Sequence, residues 1–120
     1  MHRVFVYGSL QRGRQYHSLL GDSPRLGSAT TPPAYVLLDL GPYPGLMRGG
    51  ATAVRGEVYE VSDATLAVLD ELEEHPEVYL REPIEIPEWP GTQAYFIRRE
   101  HATGAVELPG GVWPPEPPRD

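Results

Sequence analysis

A chain of 120 residues has room for one hydrophobic core and no second domain. Its formal net charge of −7 argues against a nucleic-acid or anionic-membrane partner, because both require a basic face. Cys is absent and all ten Lys or Arg positions are Arg, which excludes disulfides, thiolate zinc sites, a Cys nucleophile and a catalytic Lys.

Met1-His2-Arg3 leads straight into the first predicted strand and leaves no room for a signal peptide. No apolar run approaches a membrane span, so a cytoplasmic location is expected. Residues 4–7 are β-branched or aromatic throughout and predict that strand. It runs directly into Gly8-Ser9-Leu10-Gln11-Arg12-Gly13, a glycine-bounded loop. Gly8 opens φ/ψ values closed to other residues and lets a ligand approach the backbone closely. Such a loop can offer N–H groups to an anionic or carbonyl oxygen; the plainer alternative is a strand and an ordinary turn. Residues 16–20 predict a short helical turn, broken at Gly21-Asp22-Ser23-Pro24. Residues 34–40 predict a second strand, ended by Gly41-Pro42-Tyr43-Pro44-Gly45. In residues 53–61, Val54, Gly56 and Val58 alternate with Arg55, Glu57 and Tyr59, the pattern of a half-buried strand.

Ser62-Asp63 then caps a helix predicted over 64–74, whose apolar stripe is Leu66, Leu69, Leu72 and Val68. Pro76 prevents its continuation. Residues 79–86 read as a strand in which Pro83 requires an edge or a bulge, and 93–98 as a buried strand. The chain divides into a domain over 1–108 and a Pro-rich tail over 109–120. That tail, with Pro109, Pro114, Pro115, Pro117 and Pro118, is either extended on the surface or a disordered end. Five or six short strands and one clear helix predict an α+β domain, small and mixed, on a bent or barrel-like sheet.

Most familiar cofactor motifs fail. The glycines of the first loop have P-loop spacing, but Arg14-Gln15 stands where Lys-Ser/Thr is required. No GxGxxG or HExxH occurs, and His2, His17, His75 and His101 lack ligand spacing, so neither a cofactor nor a metal is expected. Adjacent residues of Glu73-Glu74-His75 point in different directions on a helix, which argues against a metal corner there. Glu73 is different from its acidic neighbours. It borders the apolar stripe at the helix C-terminus, where the macrodipole disfavours its charged form and raises its pKa. A carboxyl of that kind suits a general acid/base.

Val-Phe-Val-Tyr-Gly-Ser-Leu-Gln-Arg-Gly with His17 and Leu19-Leu20 resembles the opening of the γ-glutamylcyclotransferase-like superfamily, in its γ-glutamylamine cyclotransferase and AIG2-like branch. The likeness continues in order through Tyr43-Pro44-Gly45-Leu46, Val54-Arg55-Gly56-Glu57-Val58-Tyr59, Leu69-Asp70-x-x-Glu73 and Tyr79-Leu80-Arg81. It implies a small mixed β-barrel with flanking helices over 1–108 and a cavity at the end of the first strand. It also implies substrate binding by the backbone of Tyr7, Gly8, Ser9 and Leu10, with Glu73 catalytic. Glu71 and Glu74 are weaker candidates for that role. Glu74 departs from the family's usual Gly, and Leu72 from a frequent aromatic. Tyr43, Tyr79, Arg81 and Tyr95 are possible pocket residues.

The implied activity is cofactor-independent cyclisation of a small γ-glutamyl substrate to 5-oxoproline, with release of an amine or amino acid. A non-catalytic binding module for a γ-glutamyl or carboxylate metabolite is the alternative. A protein-interaction role would rest on residues 114–118 alone. The sequence names neither the leaving group nor the oligomeric state.

Overall fold

The computed structural model describes residues 1–115. In chain order its strands are β1 (His2–Val6), β2 (Arg25–Thr30), β3 (Tyr35–Asp39), β4 (Pro44–Arg48), β5 (Arg55–Val61), β6 (Tyr79–Pro83), β7 (Gln93–Ile97) and β8 (Val106–Glu107). The helix α1 (Asp63–Leu72) lies between β5 and β6, and a 3₁₀ turn at His17–Leu20 follows the first loop. A five-stranded sheet has the order β2-β5-β1-β7-β6, and a three-stranded sheet the order β4-β3-β8.

β1 is the centre of the larger sheet, antiparallel to β5 and parallel to β7. Both its faces are covered, so its sequence is a continuous apolar run and not an alternation. Val4 and Val6 enter one core with Leu66 and Leu69 of α1, Tyr79 and Tyr95. Phe5 and Tyr7 enter a second core with Leu37 and Leu46 of the smaller sheet. α1 begins as its sequence predicts, with Ser62 Oγ accepting the Thr65 N–H at 3.2 Å. Leu66 and Leu69 are buried. Val68 does not join their stripe and is 43% exposed, since two positions from Leu66 it turns to the other side of the helix.

The expected barrel is not present: the two sheets carry separate ladders and do not close. Side chains span the seam instead. Tyr79 donates from its hydroxyl to the Pro44 carbonyl at 2.6 Å, Arg48 Nη2 donates to the Pro83 carbonyl at 2.6 Å, and the Glu85 N–H donates to the Tyr35 hydroxyl at 3.1 Å. Pro83 ends the outer strand β6, the edge position its missing N–H requires. Three strands also go beyond the sequence reading. Only Ala29 is buried in β2, β4 starts inside a Pro-Gly run that reads as a turn, and β8 has two residues.

Backbone hydrogen bonds tie the fold to residues on both sides of the expected boundary at 108. The Leu108 N–H donates to the Leu37 carbonyl at 2.7 Å and the Arg55 N–H to the Gly111 carbonyl at 2.9 Å. Pro117 and Pro118 lie outside the described residues.

Candidate active site

Past the end of β1, Tyr7-Gly8-Ser9-Leu10 forms part of the wall of a cavity of about 170 Å³. The end of α1 contributes Leu72, Glu73 and Glu74, and Val78, Tyr79 and Tyr95 come from the region of β6 and β7. Tyr16 and Tyr43, 37% and 47% exposed, complete the aromatic lining.

The carbonyls of Gly8, Ser9 and Leu10 are engaged within the protein. The Gln11 N–H donates to Gly8 at 3.0 Å, the Tyr16 N–H to Ser9 at 2.9 Å, and His17 Nδ1 to Leu10 at 3.0 Å. By contrast, none of the turn and loop backbone hydrogen bonds among the described residues uses the N–H of Gly8, Ser9 or Leu10. Because a peptide unit is planar, fixing the Gly8 and Ser9 carbonyls also fixes the N–H directions of Ser9 and Leu10. The result is a set of pre-oriented donors, suited to a carboxylate or a carbonyl oxygen. Gly8 is not among the glycines with positive φ, contrary to the sequence expectation. Its requirement is steric: a Cβ there would stand 2.7 Å from Cγ and Cδ of Pro44.

α1 ends in a Schellman motif. The Glu74 N–H donates to the Glu71 carbonyl at 3.2 Å and the His75 N–H to the Asp70 carbonyl at 2.9 Å. Glu73 is the C-cap and Glu74 takes the left-handed position with φ 50, the one non-Gly residue with positive φ among those described. Glycine fits that backbone best, so Glu74 holds a conformation that costs an L side chain energy.

Burial pushes the Glu73 carboxyl up to about 7 from its ordinary 4.5. The direction is the one its place at the helix end predicts, but desolvation in the cavity wall is the cause. Burial also holds the hydroxyls of Tyr7, Tyr79 and Tyr95 above the usual phenol range, so all three remain donors. Tyr7 donates to the Tyr95 carbonyl at 2.5 Å and Tyr95 to Asp70 Oδ1 at 2.7 Å.

Asp70 lies behind the site. Burial opposes its charge, yet hydrogen bonds from Arg81 and Tyr95 and the Arg81 charge hold its pKa below the usual carboxylate range. Two carboxyls one helical turn apart are thus driven in opposite directions, Asp70 towards its charged form and Glu73 towards its neutral one.

Tyr7, Gly8, Ser9, Leu10 and Glu73 therefore surround one cavity, with Tyr43, Tyr79 and Tyr95 beside them. Arg81 does not line it: its guanidinium is ion-paired with Asp70. Glu74 reaches the cavity although it is exposed, while Glu71 is exposed and absent from the lining. Tyr16 and Val78 are cavity residues that no local sequence signal singled out. Among the described residues, no cluster of three or more His, Cys, Asp or Glu is arranged to hold a metal ion. Among the described residues, no helix is long and apolar enough to cross a membrane.

These features define a small α+β domain with a compact cavity between a donor loop and a neutral-range carboxyl. A profile for the family "Gamma-glutamyl cyclotransferase, AIG2-like" matches residues 4–115. A Vibrio cholerae protein named "Putative gamma-glutamylcyclotransferase" is 48% identical over 112 residues, 93% of this chain and 95% of that protein. The Mus musculus protein named "Gamma-glutamylaminecyclotransferase" is 31% identical over 102 residues, 76% of this chain and 68% of the mouse protein. The crystal structure of an AIG2-like protein from Mus musculus superposes with a TM-score of 0.75 at 27% identity, covering 99% of both chains. The chain belongs to the AIG2-like γ-glutamyl cyclotransferase family.

Proposed function

We propose that the protein converts a γ-glutamyl amide to 5-oxoproline and a free amine or amino acid without a cofactor. The observation that carries this reading is a carboxyl with a pKa of about 7 sharing a cavity with unengaged backbone donors. The substrate brings its own nucleophile. Its α-amine attacks the γ-carbonyl carbon, a C–N bond closes the five-membered ring, and the original amide C–N bond breaks. Backbone N–H groups of Gly8, Ser9 and Leu10 hold the glutamyl group folded, and effective molarity supplies much of the acceleration. Glu73 takes the proton from the α-nitrogen and returns it to the leaving nitrogen, for which a pKa near the working pH is favourable.

Incubation with a panel of γ-glutamyl amides, followed by mass spectrometry, tests the activity through the appearance of 5-oxoproline. Glu73→Gln is expected to keep the fold and lose on the order of 10²–10⁴ in turnover. In the parent, kcat/KM is expected to rise with pH through about 7 as Glu73 ionises. Parental turnover in the Gln variant would remove Glu73 from the mechanism.

A further inference from the structure

We propose that Gln11 and Trp113 brace the Tyr7-Gly8-Ser9-Leu10 loop and act as positioning residues for substrate binding, an inference that rests on the function proposed above. Gln11 Nε2 donates to two carbonyls, Gly8 and Trp113, each at 3.2 Å. The Gly8 oxygen thus receives both the main-chain and the side-chain N–H of Gln11. Its peptide plane also carries the Ser9 N–H, so the brace acts directly on one donor of the cavity. On its other side the loop meets two rings. A Cβ on Gly8 would lie 2.7 Å from Pro44 and 3.9 Å from Trp113 Cε3.

Trp113 can serve as a fixed point because the segment before it is itself anchored. Gly111 is buried with φ +71, its carbonyl accepts the Arg55 N–H at 2.9 Å, and a Cβ there would stand 2.0 Å from the Ala53 oxygen. Trp113 packs on the core that contains Phe5 and Tyr7. The chain thus returns from more than a hundred positions away to fix one peptide plane at the site. Neither residue lines the cavity, so both act through the loop.

The test uses Gln11→Ala and Trp113→Ala, with Trp113→Phe as the conservative partner. Loss of pre-oriented binding should raise KM roughly tenfold and weaken 5-oxoproline binding in parallel, with kcat changed less than about threefold. Trp113→Phe should restore most of the affinity. Heteronuclear NOE values at Gly8, Ser9 and Leu10 should fall in both Ala variants, measured well below their unfolding temperatures. Ser62→Ala, which weakens a distant helix cap, should lower stability and leave KM unchanged. Parental KM in Gln11→Ala overturns the brace, whether or not the loop has loosened. Failure of the parent to cyclise any γ-glutamyl amide would instead overturn the proposed function. The NOE values then decide the brace by themselves, and unchanged loop order overturns it.

Discussion

Glu73 has a pKa raised to about 7, so near neutral pH the folded protein holds it divided between its charged and neutral forms. The unfolded chain ionises the same group near 4.5, and the folded state therefore binds its proton more tightly. The stability tied to that proton is fully present below about 4.5 and is lost as pH rises through about 7. Glu73→Gln resembles the neutral form and escapes the loss. It should be more stable than the parent by roughly 3 kcal/mol near pH 8.5, with the two converging near pH 4.5. Asp70, whose pKa is lowered, loses its contribution on the acid side in both proteins and cancels from the comparison. Urea unfolding at the two pH values measures the gap; one that does not change with pH would mean the carboxyl is not desolvated. The direction of the shift was legible in the sequence, because Glu73 borders the Leu66-Leu69-Leu72 stripe at a helix end. Its cause was not, since the walls that desolvate it come from β1, β6 and β7.

Helix α1 shows how an element places a reactive group. Its start is local chemistry, a Ser62 cap on Thr65, and the sequence carried that signal openly. Its end is a geometric demand: the two Schellman bonds require a left-handed residue directly after Glu73. In sequence, the family resemblance marks Glu74 as standing where Gly is usual; the backbone supplies the physical reason, a left-handed residue with φ 50. Glu74→Gly should relieve that conformation and stabilise the protein by about 1 kcal/mol. Glu74→Gln removes the charge but keeps a side chain at φ 50, so it should stay within about half a kcal/mol of the parent. Chemical denaturation of the two variants separates the causes. Equal gains in both would assign the effect to charge and not to backbone strain.

At the scale of the whole molecule, periodicity revealed the strands that face a core but not how the sheets meet. The seam between the two sheets is closed by Tyr79, Arg48 and Tyr35 meeting backbone groups across it, a tertiary pattern with no local period. The same holds for the boundary expected at residue 108. Pro-rich composition reads as an appended tail, yet Gly111 is buried, bonded to Arg55, and followed by a Trp113 packed on the core. Truncation after Leu108 removes those contacts together and opens the surface around Ala53 and Gly8. It should cost about 2–4 kcal/mol, a large share of the stability of a domain this size. Truncation after Pro115 keeps every described contact and sets the reference urea midpoint. If the two truncations behave alike, residues 109–113 contribute nothing to the fold and the boundary belongs at 108. If only the shorter chain is destabilised, the domain extends at least to Trp113, and the segment that reads as a tail is the last structural layer of the site.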